Sequence, residues 1–89
     1  MNMEENPLTN DWAKTASKST CIALGQLAAK AGVSLEAIAE HTGYALYNLK
    51  RLTIGRYDAQ MSLILNVLKA INELSGNEFN LSDIQPPRL

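Results

Sequence analysis

An all-α fold of four or five short helices is what this sequence predicts, on three observations. Apolar residues recur at three- and four-residue spacing along most of the 89-residue chain. No stretch alternates apolar and polar residues for long, as a half-buried strand would. Four of the five glycines (Gly32, Gly43, Gly55 and Gly76) each follow such an apolar run, where a helix C-terminus often needs left-handed backbone. Hydrophobic residues make up 46% and charged residues 19%, which places the chain in the globular class. Its length allows one small domain with a single core and little room for a deep substrate cavity.

Residues 1–18 mix Asn, Thr, Ser and Pro7 with scattered charges, and a flexible N-terminal arm is expected there. Trp12 in that arm is either a docking anchor or folds back onto the domain's own surface. The helical domain is expected over 19–85. Its first helix takes Ser19 or Thr20 as N-cap, carries Ile22, Leu24, Leu27, Ala28 and Ala31, and stops at Gly32. Gly25 lies inside it, at a cost of about 1 kcal/mol relative to Ala unless close packing demands it. Ser34 caps a second helix, with Glu36 favourable in its first turn and Leu35, Ile38 and Ala39 apolar, ending near Thr42-Gly43. A third, Ala45 to Thr53, sets Leu46, Leu49 and Leu52 on one face and stops at Gly55. A fourth starts near Gln60, within reach of Asp58, and ends at Ser75-Gly76. Its Met61, Leu63, Ile64, Leu65, Val67, Leu68, Ile71 and Leu74 cover most of the circumference. That pattern predicts a central core helix, one face of which can also support a subunit interface. Phe79, Leu81 and Ile84 follow, Asn80 with Asp83 suggests a capped final turn, and 86–89 form a short tail after Pro86-Pro87 opens it.

Several function classes drop out at this level. No apolar run approaches about 18 residues, so no membrane-spanning helix is expected. Residues 1–10 are polar and lack the apolar core of a signal peptide. The single cysteine, Cys21, excludes an internal disulfide and fits a reducing, cytoplasmic setting, where it is expected to be a small buried or semi-buried thiol. His41 is the lone histidine, with no metal-ligand spacing around it, and it is expected near a helix C-terminus. Neither G-x-G-x-x-G nor G-x-x-x-x-G-K-[ST] occurs. No catalysis, cofactor or metal is expected.

The net charge of −1 hides an uneven distribution. Residues 44–57 carry Lys50, Arg51 and Arg56, no acid, and all three tyrosines: Tyr44, Tyr47 and Tyr57. Two short helices joined across Thr42-Gly43-Tyr44 make a helix-turn-helix candidate. Its first helix packs inward by Ile38 and Ala39, so the second can project its outer face.

From Leu24 to Leu74 the chain resembles the helix-turn-helix domain of the lambdoid repressor and Cro family. The matching frame is Leu24-x-x-Leu27, Gly32-Val33-Ser34 and Glu36-Ala37-Ile38-Ala39, then Gly43, Leu49, Leu52, Gly55-Arg56 and the apolar fourth helix. Asn80 to Ile84 resembles the family's closing short helix. The resemblance implies a compact lambda-repressor-like domain that binds double-stranded DNA, usually as a homodimer on pseudo-palindromic sites. It puts Ala45, Leu46, Tyr47, Asn48 and Arg51 where family members present groove-facing side chains, Leu35 where many carry a phosphate-touching Gln, and Arg56 at the usual Lys or Arg of the following loop. The family commonly pairs an Arg on helix 1 with a Glu ending helix 3. Ala28 and Thr53 stand there, and losing both partners of such a pair is far cheaper than losing one.

Residue by residue, Tyr47 and Asn48 are either ordinary exposed helix residues or contacts to bases and phosphates, Asn48 offering adenine a donor and an acceptor together. Lys50, Arg51 and Arg56 are either a solvated face or phosphate contacts, and Tyr57 either bonds a phosphate or staples its loop. Leu46 is apolar at a reader position. It can touch thymine methyl groups or, with Tyr47, form a protein-binding patch. Two functions therefore stand: a sequence-specific, repressor-like transcriptional regulator, and a helix-turn-helix fold used as a protein-interaction module, antitoxin-like or adaptor. The acidic isoelectric point of about 5.7 favours the second, and the basic, tyrosine-bearing segment on this motif favours the first.

Overall fold

Residues 15–84, which a computed structural model describes, begin with a short pairing. Thr15 forms an antiparallel bridge with Gln60, and the Ala16 amide donates to the Ala59 carbonyl at 2.7 Å. Most of the expected arm, with Trp12 and Lys14, lies outside the described residues, as does the tail after Ile84.

Helix α1 spans Lys18–Lys30. Its N-cap is Ser17 rather than Ser19 or Thr20: the Ser17 hydroxyl accepts the Thr20 amide at 3.2 Å, the reach an N-cap needs. Thr20 is instead buried, its hydroxyl 2.8 Å from that of Ser17. The chain bends by 104° into α2, Leu35–Thr42, whose first turn is capped by Ser34 accepting from the Ala37 amide at 3.0 Å. Gly43 closes α2 at φ 83°, a conformation that any side chain would strain, and its amide donates to Ala39 at 2.8 Å. The other three glycines expected after helices are left-handed too.

Helix α3, Leu46–Thr53, follows after two further residues, with Ala45 as N-cap rather than first helical residue. Helix α4 spans Met61–Ser75 and starts after Gln60, which makes no side-chain capping bond. A 3-10 turn at Leu81–Asp83 ends the described chain, closed by the expected Asn80–Asp83 capping box. The result is all-α: four helices and one 3-10 turn among the described residues. None of these helices is by itself long and apolar enough to cross a membrane.

Helices α1 and α2 both pack on α3 and α4. Leu24, Ile38, Leu49, Leu52, Ile64 and Ile71 meet at the centre, with Ile84 closing one side. Helix α4 is the core helix the sequence predicts. Its remaining outer strip is polar, Asn66, Lys69 and Glu73, so the apolar surplus is spent mostly inside. Leu65 is only half-buried and stands outside the core cluster, and Leu74 is exposed. On α1 the core register runs through Cys21, Leu24, Leu27 and Ala28. Ile22, one position out of phase, is exposed rather than buried. Leu46 likewise falls on the flank of α3 instead of sharing the buried face of Leu49 and Leu52.

Candidate nucleic-acid interface

The turn between α2 and α3 is fastened by its own side chains. The Thr42 hydroxyl donates to the Ile38 carbonyl at 2.7 Å and accepts the Tyr44 amide at 3.2 Å. Asn66 Nδ2 on α4 donates to the Tyr44 hydroxyl at 2.9 Å. These bonds tie the turn to the core helix and so fix the direction in which α3 leaves it. Sequence reasoning noted Tyr44 only for its charge neighbourhood, because nothing at the sequence level marks Asn66 as its partner.

A helix rotates about 100° per residue. With Leu49 and Leu52 buried, Tyr47, Lys50 and Arg51 must point the opposite way, and all three are exposed, Tyr47 at 70%. Asn48 lies on one flank, half-buried beside a shallow hollow it shares with Tyr44, Ala45 and Tyr57. Ala45 is exposed but, as an alanine N-cap, brings no side-chain acceptor or donor. Leu35, at the first position of α2, is half-buried against the core, which its apolar side chain explains.

The loop after α3 folds back onto the helix end. The Arg56 amide donates to the Arg51 carbonyl at 2.9 Å, and Arg51 Nη2 donates to the Arg56 carbonyl at 3.0 Å. This brings Tyr57 under the same guanidinium, whose carbon lies 5.6 Å from the Tyr47 ring centroid and 5.8 Å from that of Tyr57. Both distances fall within cation–π range. The side chains of three expected site residues (Tyr47, Arg51 and Tyr57) are thus gathered into one cluster, which Arg56 joins through its backbone, with Lys50 next to Arg51 on α3. Lys50 and Arg51 also sit in the last helical turn, which the macrodipole favours.

No carboxylate among the described residues pairs with Lys50, Arg51 or Arg56. The side-chain contact of a carboxylate with a basic group lies elsewhere, a hydrogen bond between His41 Nε2 and Glu73 Oε1 at 2.7 Å that joins the ends of α2 and α4. That hydrogen bond is the chief reason the Glu73 carboxyl is held below its ordinary value, with Lys69 adding to it. Cys21 is buried in the core, and burial pushes its thiol up. No group of three or more His, Cys, Asp or Glu among the described residues is arranged to hold a metal ion.

Sequence reasoning missed an apolar spot beside the cations. Ile54, 59% exposed, and Ile22 line a shallow groove with Lys18, Gly55, Arg56 and the acid Asp58. Ile54 carried a usable signal, since it breaks the register of Leu49 and Leu52 and so cannot share their face. No family model, no curated protein and no solved structure matches the chain.

Proposed function

We propose that this protein is a sequence-specific, repressor-like transcriptional regulator that occupies double-stranded DNA from the cytoplasm, with α3 in the major groove. One observation carries the reading. The exposed side of α3 and the loop behind it hold Lys50, Arg51 and Arg56 without an acidic partner among the described residues, on a short helix fixed to the core. Unneutralised cations on one projecting face are what a phosphate backbone rewards, through release of its condensed counterions. Tyr47, Asn48 and Arg51 would face base edges, while Lys50, Arg56 and Tyr57 would serve phosphates; Ala45 and Leu46 would add only apolar contact. The resemblance to the lambdoid repressor and Cro family adds a homodimer on a pseudo-palindromic site.

The test is selection of bound duplexes from a random DNA pool at two salt concentrations, beside the Lys50/Arg51/Arg56→Ala variant. The expected result is an enriched palindrome whose binding needs the cations. For a dimer making about six phosphate contacts, log K should fall against log salt with a slope near −5. Absence of enrichment, with weak and salt-insensitive residual binding, would overturn the reading. The second reading, a protein-interaction module, rests on the exposed Ile22 and Ile54 beside Lys18 and Arg56. A partner held there by apolar contacts would bind with little dependence on salt.

A further inference from the structure

Arg51 differs from its neighbouring cations in how firmly it is held. Lys50 is exposed, with no hydrogen bond from its ammonium to any described residue. The Arg51 guanidinium has three points of attachment: the Tyr47 ring, the Tyr57 ring and the Arg56 carbonyl. A guanidinium presents two edges, each with two parallel N–H donors. Nη2 contributes one hydrogen to each edge, so its single bond to the Arg56 carbonyl occupies one edge and leaves the other whole. What remains is a planar two-donor fork on an exposed side chain of α3, with its charge unpaired with any carboxylate of the described residues.

We propose that Arg51 is a guanine reader and that Tyr57 is its positioning residue, an assignment that rests on the DNA-binding reading above. A cation that sweeps freely is well suited to phosphates, which are numerous and accept hydrogen bonds from many directions. A fork held at three points gives up that freedom and suits a rigid, planar pair of acceptors. In the major groove guanine supplies such a pair, O6 and N7, whereas adenine puts a donor where guanine has O6. The two rings leave the charge of Arg51 intact while fixing its plane, because they attract it through their faces. Tyr57 acts through Arg51, not on the base, and its ring rather than its hydroxyl does so.

The experiment uses the full chain and the duplex recovered from the random pool, with each guanine replaced in turn by 7-deazaguanine, which keeps base pairing but lacks the N7 acceptor. One replacement should weaken wild-type binding roughly tenfold, since it removes one of the two acceptors of a bidentate contact. Arg51→Ala, which removes the fork, should bind more weakly and be indifferent to that replacement. Tyr57→Leu should lose most of the guanine preference, and Tyr57→Phe should keep it. If the protein selects a site but no 7-deazaguanine matters, or the site holds no guanine, guanine reading is overturned and DNA binding stands. If Tyr57→Leu keeps the full preference, the positioning role is overturned alone. If no duplex is enriched at all, the DNA-binding reading fails and takes this one with it.

Discussion

Two leucines show how burial, not residue type, sets what a side chain contributes. Leu49 on α3 is 2% exposed and sits in the central cluster, whereas Leu65 on α4 is half-buried and stands outside it. Truncating a buried leucine loses its transfer free energy and leaves a cavity, so Leu49→Ala should cost about 2–5 kcal/mol. Leu65→Ala leaves no enclosed void and should cost about 1 kcal/mol, in proportion to the apolar area it had removed from water. Urea denaturation of both variants checks this, and equal losses would mean that Leu65 is a core residue after all. The same residue-level accounting explains Ile22. Cys21 lies three residues before Leu24 and seven before Ala28 and so shares their face, whereas Ile22, two and six residues before them, falls about 200° and 240° away around the helix and faces out.

Helix α1 carries a glycine in its interior because α3 passes too close for anything larger. A Cβ built on Gly25 would lie 2.6 Å from the Thr53 Cβ and 2.8 Å from its Cγ2. Helix propensity alone makes Gly→Ala favourable by about 1 kcal/mol, but overpacking at a fixed contact costs about 1–3 kcal/mol. Because the opposing atom is a Cβ close to the backbone rather than a flexible tip, Gly25→Ala should lower stability. Thr53→Gly should relieve the loss, and a double-mutant cycle by thermal denaturation should therefore show coupling between the two positions. Stabilisation by Gly25→Ala would mean the helices can separate at little cost. That an interior Gly25 is costly unless packing demands it was legible in the sequence, but the close approach itself was not, because Thr53 is distant in the chain. Helix ends marked by glycine were legible for the same reason Gly43 is left-handed: a local rule decides them. The start of α1 was not, since Ser17, Ser19 and Thr20 all offer a cap oxygen and the pairing of Thr15 with Gln60 favours the earliest. At the candidate site, the outward face of α3 followed from periodicity. The hold on Arg51 did not, because it depends on the loop folding back to place Tyr57 beneath it.

For the molecule as a whole, the direction of α3 depends on how firmly α2 is tied to the core helix, and that tie has a polar part. Tyr44 to Asn66 and His41 to Glu73 bridge the α2 end of the turn to the outer strip of α4 along one shallow cleft. The hydrogen bond from His41, with Lys69 nearby on α4, holds the Glu73 carboxyl below its ordinary value in the folded protein. A carboxyl depressed on folding adds stability that is fully present above its unfolded value of about 4.3 and fades as pH falls through the folded value. Glu73→Gln removes the titrating group, so the melting temperature of the wild type should exceed that of the variant near neutral pH. The gap should close as pH falls below about 4. Lys69 contributes by charge attraction to an exposed carboxylate, so high salt should narrow the gap at neutral pH too. Parallel melting curves of the two proteins across this range would mean that the bond contributes nothing to holding α2 on α4, leaving Tyr44–Asn66 and the buried contacts of Ile38 to fix the angle of α3.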